Sequence, residues 1–470
     1  MSNIDITKAP KRNGGAPTQG GSASRDGSAY RGGSVYFDTL GCPKNVNDSE
    51  YAAGLLERAG FSIVDDPEDA VFIIVNTCAF IEDAKKESIE HIFDMNNARR
   101  EGAKLVVAGC LAQRYAKELF DDLPEADCFV GVNEYEKLPE ILIGIAADGR
   151  REVYAGSCGS GTLVRASRRF SSSPYSSTLK IAEGCNNRCT YCVIPEIRGK
   201  YRSKRIEDCV AEAGEMAAAG CRELVLIAQD TTYYGIDIYG KQMLPELLRR
   251  LCDIDGIEWI RLMYCYDERI TDELIDTIAA EPKICKYIDI PLQHASDRVL
   301  KAMNRHTTRE SIENTVNKLR KRIPGIRIRT TFIVGFPGET EEDYEELADF
   351  IEKEKFDRLG VFAYSREEGT PAAEMPCQID EDVKQSRLDG IMTRQMEISR
   401  AHNEEMIGKT YRVLVDGKDE DGSYYGRTEY DAPEIDNSVI FTSEAEHEQG
   451  DFADVKITDA FDYDISGEEI

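Results

Sequence analysis

The sequence predicts a multidomain α/β protein, with a parallel α/β sheet domain first, a partial (β/α)6 barrel in the middle and a small antiparallel β-barrel last. Three observations carry that reading. Short β-branched runs alternate with amphipathic segments over residues 35–150, the alternation resumes over residues 176–406, and short strand-like segments punctuated by Gly, Asp and Pro fill residues 407–470. At 470 residues the chain is also too long for one ordinary core.

Taken in order, residues 1–34 are Gly, Ser and isolated charges that bury too little to offset ordering entropy, which predicts a disordered tail. This stretch has neither an apolar h-region nor a secretory cleavage site, which argues for a cytoplasmic protein. In the next segment VYFDTLGC precedes DSEYAAGLLERAGF, AVFIIVNTC precedes AKKESIEHIFDMNNARR, and KLVVAGC precedes LAQRYAKELFDDL, three strand–helix units of a parallel sheet. Residues 151–175, including RASRRFSSSPYSS, have few periodic apolar positions and read as an interdomain linker. Six further strands are expected at TLKIAEGC, ELVLIAQD, WIRLMYCY, YIDIPLQH, IRIRTTFIVGFP and RLGVFAYS, two fewer than a complete barrel needs. YRVLVDG, YYGRTEY, SVIFTS and FADVKITDAFDYDI then supply the closing antiparallel barrel.

Composition narrows the function. Hydrophobic residues at 41% and charged residues at 31% describe a soluble globular chain, and no apolar run approaches the roughly 18 residues of a membrane helix. Fourteen cysteines without a secretory leader argue against a disulfide scaffold and for metal or catalysis. A net charge of −29 excludes binding by phosphate neutralisation over the whole surface, and leaves a basic partner or a local nucleic-acid site. Residues 407–470 alone carry 18 acidic against 5 basic side chains, a net of −13.

Two sets of cysteines stand out. Cys185, Cys189 and Cys192 lie in KIAEGCNNRCTYCVIPEIRG just after a predicted strand, spaced Cys-x3-Cys-x2-Cys. Three soft thiolates without a neighbouring fourth ligand suit a cubane iron–sulfur cluster with one open iron better than structural zinc, which wants four protein ligands. The competing readings are buried thiols or a zinc site completed from afar. Cys42, Cys78 and Cys110 each end a predicted parallel strand and are 36 and 32 residues apart. Singly, each would more often be a small buried hydrophobe. Strand ends in open α/β sheets collect ligands in one crevice, so the shared position predicts a second three-thiolate cluster. Cys128, Cys158, Cys209, Cys221, Cys252, Cys265, Cys285 and Cys377 show no comparable pattern and read as free thiols.

LGCPKNVNDSE, NTCAF, GCLAQRY, EGCNNRCTYCVIPEIRGKYRS, PLQHASDRVLKAMNR and TTFIVGFPGETEEDY together resemble the methylthiotransferase family of radical S-adenosylmethionine enzymes, from about Val35 to the end. The resemblance implies a cluster-binding N-terminal domain, a radical barrel and a C-terminal TRAM module. It implies that Cys185, Cys189 and Cys192 hold a 4Fe–4S cluster whose open iron chelates the amino and carboxylate groups of S-adenosyl-L-methionine, cleaved by one electron to a 5'-deoxyadenosyl radical. It further implies that Cys42, Cys78 and Cys110 hold a second 4Fe–4S cluster carrying the sulfur to be transferred. One cofactor molecule would methylate that sulfur and another would take a hydrogen from the substrate carbon. A flavodoxin or ferredoxin would suit as electron donor.

Around the first cluster Tyr191 either leans on the adenine or packs in its loop. Gln229 and Asp230, with Gln293 and His294, end the second and fourth barrel strands, where barrel sites gather; they suit cofactor contacts or serve as satisfied loop residues. Thr331 and Gly335, in the segment ending GFPGE, are weaker candidates for a close backbone approach to the cofactor.

One branch of the resembled family thiomethylates a tRNA adenosine, the other the β-carbon of an aspartate in small-subunit ribosomal protein twelve. LGCPKN followed by DSE, and AEGCNNRCTYCVIP, look like the ribosomal-protein branch. A C-terminal module of charge −13 repels RNA and attracts a basic ribosomal protein, with tRNA the disfavoured alternative. A reading of a different class, an iron–sulfur sensor that binds a partner through its acidic module, remains open at this level.

Overall fold

The computed structural model describes residues 32–156, 168–170 and 175–470. Most of the predicted tail, much of the predicted linker and Cys158 lie outside the described residues. Contacts divide the chain into two compact units: the N-terminal region together with Glu196–Gly199, and Tyr175–Pro195 together with Lys200–Ile470.

The first unit is a six-stranded parallel sheet. In chain order its elements are β1 (Ser34–Thr39), α1 (Pro43–Arg58), β2 (Ser62–Ile63), β3 (Phe72–Thr77), α2 (Glu82–Ala98), β4 (Lys104–Gly109), α3 (Cys110–Asp122), β5 (Cys128–Gly131), α4 (Leu138–Asp148) and β6 (Glu152–Tyr154). Strand order is β2-β1-β3-β4-β5-β6. The three strands read from the sequence, β1, β3 and β4, are neighbours at its centre, because their β-branched runs are buried on both faces. On one face Phe37, Phe72, Ile74 and Val106 pack against Ala52, Ala53 and Leu56 of α1 and against Leu138, Ile141 and Leu142 of α4. β6 pairs with β5, so the sheet runs past residue 150 into the stretch expected to be linker. Three residues are too few to show a period in sequence.

The second unit opens with β7 (Ser176–Lys180), β8 (Ala182–Glu183), α5 (Ile194–Arg198, shared with the first unit), β9 (Arg202–Ser203), α6 (Ile206–Ala218), β10 (Glu223–Ile227), α7 (Ile236–Tyr239), α8 (Leu244–Cys252) and β11 (Trp259–Leu262). It continues with α9 (Asp272–Ala280), β12 (Ile284–Gln293), α10 (Asp297–Ala302), α11 (Arg309–Arg322), β13 (Arg327–Val334), α12 (Glu341–Glu354), β14 (Arg358–Ala363) and α13 (Glu381–Glu404). β7, β10, β11, β12, β13 and β14 form a six-stranded sheet in sequential order with all pairs parallel, the partial barrel expected. TLKIAEGC divides in two, for β8 leaves that sheet to pair antiparallel with β9.

β15 (Thr410–Lys418), β16 (Tyr424–Thr428), β17 (Val439–Thr442), β18 (Phe452–Ala460) and β19 (Ile465–Glu469) close into a barrel ordered β15-β16-β17-β19-β18. It is not wholly antiparallel, because β17 and β19 run parallel. Closure brings the last strand beside one that is not its hairpin partner, and alternation along a strand carries no information about pairing direction.

The small barrel is locked to the large one by charge. Glu223, fully buried at the start of β10, receives Arg261 at 2.8 Å and Arg427 of β16 at 2.8 Å, and Arg427 also pairs with Asp416 at 2.7 Å. Arg358 binds Asp431, and Arg329 binds Asp289 and Asp436. Burial alone would raise the Glu223 carboxyl, but the two guanidiniums and Ser176 hold it down, to about 2. Trp259 meets Phe452 edge to face, with ring centroids 5.0 Å apart.

Candidate active site and cluster-binding residues

In the first unit, Cys42, Cys78 and Cys110 follow the C-terminal ends of β1, β3 and β4, three adjacent strands of one parallel sheet. Cys42 caps the N-terminus of α1 and Cys110 opens α3, so two of the sulfurs sit at helix N-termini, where anionic ligands are favoured. Gly41, at φ +87, makes the approach possible: a Cβ there would lie 2.8 Å from the Cβ and 3.1 Å from the Sγ of Cys78. Asn45 straps two strand ends together, its Nδ2 donating to Leu40 O at 2.9 Å and Thr77 O at 3.1 Å. Asn76 Nδ2 donates back to Asn45 O and to Ser49 Oγ, and Ser88 holds the backbone of Cys78.

Burial, then the neighbouring Cys110 and Cys42, push the Cys78 thiol up to about 12. Burial likewise raises Cys110, opposed by the adjoining Arg198. Cys78 thus feels both neighbours and Cys110 feels Cys42, and any metal they take must displace their protons. Arg198, almost wholly buried, donates from Nη2 to Cys110 Sγ at 3.5 Å and to Asn45 Oδ1 at 2.9 Å, and from Nη1 to Asp48 at 2.9 Å. The polar run NVNDSE at the start of α1, which would ordinarily face water, is buried in part by this guanidinium and by Arg168, which pairs with Glu50 at 2.5 Å.

In the second unit, Cys185, Cys189 and Cys192 occupy the loop between β8 and α5. Backbone contacts pin it: Thr190 N donates to Met303 O at 3.0 Å, Ala372 N to Thr190 O at 2.9 Å, and Asn304 Nδ2 to Arg188 O at 2.7 Å. Burial pushes Cys185 up to about 12, and burial followed by Cys189 raises Cys192 further. Among the described residues no three His, Cys, Asp or Glu side chains gather closely enough for a single metal ion. A cubane places each thiolate on its own iron and so takes ligands spread over several ångströms, which separates it from a single-ion site, and soft sulfur donors are the ligand type it takes.

The other expected site residues have varied surroundings. Tyr191 packs with Val299, Met303, Phe336 and Tyr364. Gln229 donates to Glu183 at 3.1 Å, and its buried Oε1 meets no donor among the described residues. Asp230 accepts from Thr232 and Tyr233 N of its own loop, from Asn187 of the cysteine loop and from Arg269. Gln293 ends β12 at φ +76, and its Nε2 donates to Pro291 O at 3.4 Å. His294 is fully buried: its Nδ1 accepts from Ser296 N at 2.9 Å, which leaves Nε2 as the protonated nitrogen, 3.5 Å from Glu339. Thr331 accepts from Arg329 at 3.4 Å. The space beside Gly335 that a side chain would occupy belongs to Lys384 of α13. Arg198 and Arg305 escaped the sequence reading. Both lie inside motifs quoted above, but no period or spacing marks a buried arginine.

Family models match along the chain in the order of the modules: the uncharacterized protein family UPF0004 over residues 34–131, the radical SAM superfamily over 179–351 and the TRAM domain over 407–470. A ribosomal protein uS12 methylthiotransferase RimO from Clostridioides difficile (strain 630) is 49% identical over 434 residues, covering 92% of this chain and 97% of the relative. The protein of the same name from Pelotomaculum thermopropionicum is 50% identical over 438 residues, covering 92% and 98%. The chain belongs to the RimO methylthiotransferase family. Like its RimO relatives it is a radical S-adenosylmethionine enzyme, and the superfamily brings that cofactor and a 4Fe–4S cluster. Among solved structures, the radical S-adenosylmethionine methyltransferase TsrM from Kitasatospora setae aligns with a TM-score of 0.52 at 17% identity, over 72% of this chain and 76% of that one. The cobalamin-dependent radical enzyme OxsB aligns with a TM-score of 0.50 at 13% identity, over 78% and 56%. At that identity both speak to fold alone. Among the described residues no helix is long and apolar enough to cross a membrane.

Proposed function

We propose that this chain inserts a methylthio group at the β-carbon of an aspartate of the small-subunit ribosomal protein uS12, using two cluster sites. Cys185, Cys189 and Cys192 would hold the cluster that serves S-adenosylmethionine, and Cys42, Cys78 and Cys110 a second 4Fe–4S cluster. The observation that carries the second site is the convergence of three cysteines, more than thirty residues apart in sequence, on the ends of three adjacent strands. Bound there, cofactor and clusters supply one-electron cleavage, hydrogen abstraction and the sulfur. The chain's own residues bind and orient: Asn45, Asn76 and Ser88 fix the first trio, and Thr190, Asn304 and their partners fix the second. The burial that raises Cys78, Cys110, Cys185 and Cys192 also excludes water from reactive species. A cytoplasmic setting and a flavodoxin or ferredoxin donor fit this chemistry.

The choice of uS12 over tRNA follows the RimO relatives and the charge of the C-terminal barrel. Part of that charge is internal, because Asp416, Asp431 and Asp436 are taken up by Arg427, Arg358 and Arg329. Asp419, Glu420, Asp421, Glu444, Glu448, Asp454 and Asp459 remain exposed, a surface that repels phosphate and steers a basic protein inward. The test is anaerobic reconstitution followed by mass spectrometry with uS12 and with tRNA offered in parallel. A methylthio mass on tRNA with none on uS12 overturns the assignment.

A further inference from the structure

Arg305 follows α10 in the segment MNRHT and is only 5% exposed. Its guanidinium lies over the Tyr266 ring, 4.3 Å from the centroid. Nη2 donates to Pro291 O at 3.2 Å and to Asp267 at 3.4 Å, while Asp267 takes a shorter bond, 2.5 Å, from Thr307. Nε and Nη1 are buried and, among the described residues, meet no acceptor. Stacking satisfies the face of a guanidinium and leaves the in-plane N–H groups without partners. Arginine cannot shed its proton, so a buried arginine with two idle donors is a standing cost unless an acceptor joins it.

The surroundings say where that acceptor would sit. The Tyr266 hydroxyl is 3.9 Å from Cys189 Sγ. The ring on which the guanidinium stacks thus links Arg305 to the Cys185–Cys189–Cys192 loop. Asp267 and Pro291 fix the guanidinium by one nitrogen and leave the other two for a ligand.

We propose that Arg305 is a carboxylate-binding residue of the barrel site, its Nε and Nη1 donating to a carboxylate carried by a ligand seated beside the cysteine loop. The inference rests on the reading above, in which that loop serves S-adenosylmethionine and the substrate is an aspartate. Both carry a carboxylate, and the experiment separates them.

Equilibrium binding to the reconstituted full chain would be measured for S-adenosylmethionine against its carboxamide analogue, and for uS12 carrying Asp against Asn at the target position. Wild type and Arg305→Gln would be compared, with iron content and circular dichroism checked first. The wild type should prefer the carboxylate by about tenfold to a hundredfold in one arm, as a charge-assisted hydrogen bond warrants. Arg305→Gln should lose that preference in the same arm, which names the ligand. A folded, iron-loaded Arg305→Gln that keeps both preferences, or a wild type that shows neither, overturns the proposal. Should Arg305→Gln lose iron or fold, Arg305→Lys carries the same comparison, with its preference expected to fall between the two and an undiminished one overturning the idea. Failure of the functional reading looks different: wild type leaves uS12 unmodified while the cofactor arm still reports on Arg305.

Discussion

The two cysteine trios are assembled by opposite routes. Cys185, Cys189 and Cys192 share one loop of eight residues, so chain connectivity alone keeps them together. Cys42, Cys78 and Cys110 span 69 residues and meet because β1, β3 and β4 are neighbours in a parallel sheet. A local set costs little loop closure and survives disturbance elsewhere, whereas a dispersed set exists only when its sheet does. The dispersed set is held by side chains from several elements: Asn45 ties the ends of β1 and β3, Asn76 binds α1, Ser88 of α2 holds the Cys78 backbone, and Arg198 meets Cys110.

The strongest way to break the comparison is to remove one trio whole. Replacing Cys185, Cys189 and Cys192 together by Ala should reduce cofactor cleavage to background, while iron after reconstitution falls by about half, as expected for two independent cubanes. Loss of all iron would show that the sites are not independent. Glu223→Gln touches neither trio but breaks the buried charge cluster under the large barrel, and should cost about 3–5 kcal/mol in denaturant unfolding of the second unit. Iron at the local loop should survive wherever that unit remains folded.

The same carboxylate gives a pH dependence with a definite sign. Its folded value of about 2 lies below the roughly 4.3 of an unfolded glutamate, so its stabilisation is fully present above that unfolded value and is lost as pH falls toward 2. Acid unfolding should flatten over this window in Glu223→Gln; an unchanged profile would remove Glu223 from the account.

Gly41→Ala sharpens the contrast from the other side. A side chain at φ +87 that also meets Cys78 should cost about 1–3 kcal/mol and lower iron at the dispersed trio, with cofactor cleavage at the local loop kept. Equal loss at both sites would contradict the distinction drawn here. The smallest effect belongs to the surface: neutralising Asp419, Glu420 and Asp421 together should slow uS12 association a few-fold at low salt and little at high salt, read from association rates.

The central strands were legible as β-branched runs buried on both faces; of the barrel strands β10 and β11 share that burial, while β7 and β13 alternate. β2, β5 and β6 were not legible, since two to four residues carry no period. Spacing announced the local trio. The dispersed trio was inferred only by treating strand ends as a shared address. The C-terminal acidity was visible as a sum, but which of those carboxylates face solvent depended on Arg329, Arg358 and Arg427.

By itself the sequence determined the order of modules, the parallel sheets and the six thiols, because periodicity and spacing are properties of a line of residues. Tertiary structure decided that β1, β3 and β4 are neighbours, that β17 runs parallel to β19, and that Arg198 faces a cysteine while Arg305 keeps two donors idle. Adjacency and hydrogen-bond satisfaction are settled only when distant segments pack, so no local pattern can encode them.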